Sequence, residues 1–117
     1  MQLDQIQKRL QEFAREREWD QFHDLKSLAL AMVGEVGEIC ELLQWESSES
    51  MEKFLANGGR DKLAAEVSDV LFYLLRIADK GGVHLESAIN RKFEENHLKY
   101  PVEKSKGVAT KYTEFRT

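Results

Sequence analysis

Two stretches of this chain, about residues 25–45 and 60–80, are apolar at helical spacing on nearly every side, yet each carries paired acids in its middle. The first holds Leu28, Leu30, Met32, Val33, Val36, Ile39, Leu42 and Leu43; the second holds Leu63, Val67, Val70, Leu71, Leu74, Leu75 and Ile77. A helix apolar all round is buried, in a larger core or between subunits. Composition agrees with helices rather than strands. Val, Ile and Thr together number 14, Leu alone numbers 14, and a single Pro and seven Gly are too few for a chain that turns every few residues. The reading is an all-α bundle of four helices: 3–18, 25–45, 60–80 and 84–99. Asp24 is the expected N-cap of the second, and a short helix is expected over 49–56. Asn57-Gly58-Gly59, Gly81-Gly82 and Pro101 are the expected stops.

The acids set the chemistry. Glu35 and Glu38 lie three apart on one helical face, as do Glu66 and Asp69, with Cβ atoms about 5–6 Å apart within each pair. Carboxylates among apolar residues repel one another and resist ionisation unless something positive compensates them. Arg60, Lys62 or Arg76 can supply that charge, and a solvated acidic stripe is the bland alternative. Two pairs in two apolar helices fit a hard divalent cation better, with Mg²⁺ the best match to an all-oxygen set. Zinc lacks a Cys/His cluster here. A di-iron site needs two Glu-x-x-His strings, and the chain has one, Glu94–His97. Gly34 and Gly37 beside the glutamates suggest close approach by a ligand or by a neighbouring helix.

Charge and length exclude several classes. The longest apolar runs are six residues, Leu28–Val33 and Val70–Leu75, far short of the roughly 20 that span a bilayer. The start of the sequence lacks a secretory pattern, and one cysteine, Cys40, suits a reducing cytosol. A net charge of −4 disfavours nucleic acid and anionic membrane as partners. Residues 91–117 are the exception, with seven Lys/Arg against four acids, so 101–117 reads as a basic tail on one domain spanning 1–117. Cys40 reads as core and His84 as a helix-start residue.

The ordered motifs carry a family resemblance. Glu35-x-x-Glu38 followed after 27 residues by Glu66-x-x-Asp69 resembles the signature of the MazG-like all-α nucleoside triphosphate pyrophosphohydrolases. The runs EWDQFH (18–23), GEVGEICELLQW ending at Trp45, and EVSDVLFYLL are similar to the dCTP pyrophosphatase branch. So are Lys92-x-x-x-Asn96, Lys99-Tyr100-Pro101 and Lys111-Tyr112-Thr113-Glu114. The resemblance implies a dimeric or tetrameric bundle and Mg²⁺ held by Glu35, Glu38, Glu66 and Asp69. It also implies cleavage of a nucleoside triphosphate, dCTP or a relative, into monophosphate and pyrophosphate. Glu38 is either a ligand or the base for the attacking water. Lys92, Asn96, Lys111 and Tyr112 are the candidates for the triphosphate, although Lys92 equally suits a solvated helix face. Trp19, His23, Trp45 and Tyr73 are the candidates for the base; His23 can instead cap a helix, and the neighbouring Phe22 can be packing alone. A noncatalytic interaction module, or a metal-carboxylate phosphohydrolase for another nucleotide, is the alternative.

Overall fold

In the computed structural model, residues 2–115 are described, and all of their regular structure is helical. The order is α1 (Leu3–Glu16), α2 (Leu25–Leu43), α3 (Ser48–Phe54), α4 (Arg60–Gly81), α5 (Leu85–Lys99) and α6 (Val102–Ser105), then a 3₁₀ turn at Tyr112–Glu114. The four long helices match the four expected ones to within two residues at each end. The chain divides between residues 83 and 84 into two compact units.

In the first unit α2 packs along α4, and α1 lies against α4. Each boundary has a local cause. Asp24 caps α2, its carboxylate accepting from the Ser27 amide at 2.8 Å. Ser47 and Ser50 exchange side-chain bonds with each other's amides at 3.1 and 2.8 Å, closing the first turn of α3. Leu55–Gly59 forms a wide turn that runs directly into α4, and Gly58 sits there at φ 99°. Gly82, at φ 68°, ends α4. These are conformations that a side chain would strain.

The closed core is small: Leu10, Ala14, Leu28, Leu75 and Ala78. Leu30 and Val33 on α2 are each 64% exposed, while Val36, Val67, Leu71 and Leu74 are exposed to a lesser degree. The apolar excess read in the sequence is therefore real, and the described residues do not cover it. A Cβ placed on Gly34 or Gly37 would meet nothing within 4 Å. Packing against another helix of the described chain is thus not the reason for these two glycines. Cys40, expected in the core, is exposed, because it lies one turn beyond Gly37, on the side of α2 that carries these open positions.

In the second unit His84 caps α5, as expected, accepting from the Ser87 amide at 3.4 Å. Pro101 ends α5 and starts α6, since its carbonyl accepts from the amides of Lys104 and Ser105, both at 3.0 Å. The stretch after Pro101 was too short to show a period in sequence, and local bonds and rings order it. Tyr100 meets Tyr112 and Phe115 edge-on, with centroids 5.9 and 5.7 Å apart.

Candidate metal and nucleotide site

Glu35 and Glu38 project from α2 and Glu66 from α4, and the packing of these helices brings one carboxylate oxygen of each within 4.8 Å of the others. Glu35 Oε2 and Glu66 Oε2 are buried with no hydrogen-bond donor among the described residues. Two orphaned carboxylate oxygens in one cluster call for a donor or a cation, because desolvated acceptors left unpaired are costly. Electrostatics reports the same stress. Glu66 is pushed up to about 7, first by its contact with the Glu38 carboxyl and then by burial. Burial, followed by Glu38 and the charge of Asp69, raises Glu35.

Asp69 stands outside the tight group but close enough to act on Glu35. Of the cations proposed as compensators, Arg76 does not serve as one. Arg76 is engaged by Asp79 at 3.0 Å and by Asp20. The all-oxygen set of clustered acids and orphaned acceptors therefore fits a hard divalent ion.

The aromatic candidates are arranged unevenly. Trp19 meets Phe13 edge-on at 5.6 Å, Phe13 meets Phe72 at 6.0 Å, and Phe72 meets Tyr73 at 5.9 Å. This chain of rings runs from the α1–α2 connection to α4, where Tyr73 lies one turn from Asp69. Trp45, beyond the end of α2, is 84% exposed and free to meet a ligand. Phe22 is exposed rather than packed. His23 does not cap α2, a role filled by Asp24. Its Nδ1 accepts from Arg76 Nε at 3.1 Å. Burial and then the Arg76 charge hold the His23 pKa below its usual value.

An apolar cleft of ≈ 250 Å³ opens between α1 and α4, lined by Ile6, Leu10, Phe13, Leu71, Phe72 and Leu75 among others. Sequence reading missed Phe13 and Phe72, which look like ordinary core positions. In the second unit Lys92 pairs with Glu95 at 3.3 Å on the surface, and Asn96 and Lys111 are exposed. Tyr112 lies under Lys99, whose Nζ is 5.0 Å from the ring centre.

Comparison with known proteins places this geometry. The model of the MazG-like family matches residues 31–115, and the chain belongs to that family. It is 44% identical over 113 residues to dCTP pyrophosphatase 1 of Mus musculus and 41% identical to that of Homo sapiens. Each alignment covers 96% of this chain and 66% of the relative, so the chain spans a little under two thirds of these relatives' length. A pyrophosphatase of known structure from Archaeoglobus fulgidus superposes with a TM-score of 0.76 at 34% identity, covering 85% of this chain and 92% of that one. Among the described residues, no helix is long and apolar enough to cross a membrane.

Proposed function

We propose that this protein is a cytoplasmic, Mg²⁺-dependent pyrophosphohydrolase of nucleoside triphosphates, dCTP or a modified dCTP foremost, that clears such nucleotides from the pool. The observation that carries the reading is the group Glu35, Glu38 and Glu66, with two buried oxygens lacking donors. The kinship to dCTP pyrophosphatases supports the choice of substrate.

Glu35, Glu38, Glu66 and Asp69 would hold the ion. Bound there, Mg²⁺ would neutralise phosphate charge and make a coordinated water more acidic. Glu38, the most open of the three clustered acids, completes that ligand set or, in place of ligation, accepts a proton from the water that attacks the α-phosphorus. The new bond joins that water's oxygen to the α-phosphorus. The bond to the α–β bridging oxygen breaks, and pyrophosphate leaves with that oxygen. Trp19, Trp45 and Tyr73 offer ring faces to the base, and His23 a polar edge. By family resemblance, Lys92, Asn96, Lys111 and Tyr112 serve the triphosphate. Residues 1–117 act as one functional domain with 101–117 as its basic tail. The uncovered apolar face of α2 supports assembly as a homodimer or homotetramer.

The test is substitution of the acids. Glu38→Ala and Asp69→Ala are expected to abolish turnover while circular dichroism keeps its helical signal. Near-normal activity in saturating Mg²⁺ would refute the four-carboxylate site. Loss of the fold would favour a noncatalytic module in which the acids are structural.

A further inference from the structure

Arg76 is 2% exposed, and each nitrogen of its guanidinium has a partner. Nη1 donates to Asp79 Oδ2 at 3.0 Å, Nη2 donates to Asp20, and Nε donates to His23 Nδ1 at 3.1 Å. Asp79 is held in turn from α1, where Gln7 donates to its other oxygen at 3.0 Å and Gln11 donates to the same atom. Lys80 adds a bond to the Asp20 carbonyl at 3.3 Å. The segment between α1 and α2 is thus pinned to α4 at Asp20 and at His23.

The Arg76–His23 bond has a chemical consequence. A guanidinium has donors only and does not deprotonate, so the His23 nitrogen facing it must present its lone pair. The ring is then neutral, with its proton on Nε2, the atom not used by Arg76. His23 also lies 6.0 Å from Trp19, ring centre to ring centre. Arg76 follows Asp69 by seven residues, or about 10 Å along α4. A nucleotide's sugar separates its base from its phosphates in the same sense, so a base edge at His23 is compatible with phosphates at the acids.

We propose that Arg76 is a positioning residue for substrate recognition, fixing His23 as an Nε2–H donor to a hydrogen-bond acceptor on the edge of a base held against Trp19. The proposal rests on the nucleotide reading above. A cytosine edge offers two such acceptors, its ring nitrogen and its carbonyl oxygen.

Two measurements test it on the 117-residue chain. The first is ¹H–¹⁵N correlation spectroscopy of the imidazoles at pH 7.5, with Asp20, Arg76 and Lys80 as the charged groups around His23. His23 is expected as the Nε2–H tautomer in the native protein and as a mixture in Arg76→Lys, which keeps the positive charge but lacks the planar fork that bonds Asp20, Asp79 and His23 together. A native His23 carrying its proton on Nδ1 would overturn the proposal. The second is a kinetic cycle with dCTP. Arg76→Lys is expected to raise KM about five- to tenfold with kcat largely kept, the size of one net hydrogen bond. In a His23→Gln background, where an amide donor stands near the Nε2 position whatever its tautomeric surroundings, the same change is expected to have little effect. An equal rise in both backgrounds would make Arg76 merely structural and refute its positioning role. A native enzyme inert on every triphosphate would sink the functional reading and the base contact with it, while the spectrum still decides whether Arg76 sets the tautomer.

Discussion

Replacing Leu75 by alanine probes whether α4 is clamped as described. Leu75 is closed to solvent but borders the ≈ 250 Å³ cleft between α1 and α4, so the space it vacates joins an opening that water already reaches. Leu28, the other large side chain that is fully closed, does not border that cleft. Buried Leu→Ala changes cost about 2–5 kcal/mol, rising with the sealed cavity left behind. Leu75→Ala therefore belongs in the lower half, about 2–3 kcal/mol, and Leu28→Ala in the upper half, about 4 kcal/mol. With an unfolding entropy of about 2.1 cal/mol/K per residue, the lower figure corresponds to a fall of about 10 °C in Tm. Leu30→Ala is the control, since its side chain is 64% exposed and should cost under about 0.5 kcal/mol in an isolated chain. Urea denaturation at several protein concentrations is the assay. If a second copy covers α2, only the Leu30 effect should grow with concentration. A Leu75→Ala cost under about 1 kcal/mol, or equal costs for Leu75 and Leu30 at the highest dilution, would refute the packing argument.

The acid cluster and the open face of α2 each set further outcomes. In metal-free protein Glu66 has a folded pKa of about 7 against an ordinary 4.5. Between those values the folded state binds more protons than the unfolded, so this group's contribution to stability falls as pH rises. His23, whose pKa is depressed, acts in the opposite sense below its ordinary 6.5. The clean readout is therefore the Tm of Glu66→Gln minus that of the native protein, expected to grow from pH 4.5 to 7 without Mg²⁺. A flat difference would contradict the crowded-acid account. For assembly, sedimentation at low micromolar concentration should show a dimer or tetramer, and a persistent 13.6 kDa monomer would rule it out. Mixing an inactive Glu38 variant with an inactive Lys111 variant should restore activity only if subunits share sites.

The features readable from sequence are those with local causes. Asp24 before an apolar run, Gly82 after one and Pro101 at a helix end each act through their own neighbours, and all three appear where expected. The acid cluster was readable in part because Glu-x-x-Glu fixes Glu35 and Glu38 on one helix face; that Glu66 joins them, because α2 pairs with α4, came from the fold. Arg76 was named as a possible partner for the clustered acids, yet it binds Asp20 and Asp79 instead. A lone cation next to the run Val70–Leu75, with an acid three residues on, was the available signal for Asp79. Nothing local pointed to Asp20, 56 residues away. Cys40 was misplaced because periodicity shows that a face is apolar, not whether this chain covers it.

The central claim is the reaction, and its products test it most directly. Purified protein is incubated with Mg²⁺ and a panel of canonical and modified nucleoside triphosphates, and monophosphate, pyrophosphate and orthophosphate are quantified separately. The account predicts monophosphate and pyrophosphate in equal amounts, fastest from dCTP or a modified dCTP, and none after chelation of the metal. Release of orthophosphate and a diphosphate in their place would contradict the assigned bond, and a metal-independent reaction would contradict the role of the four carboxylates.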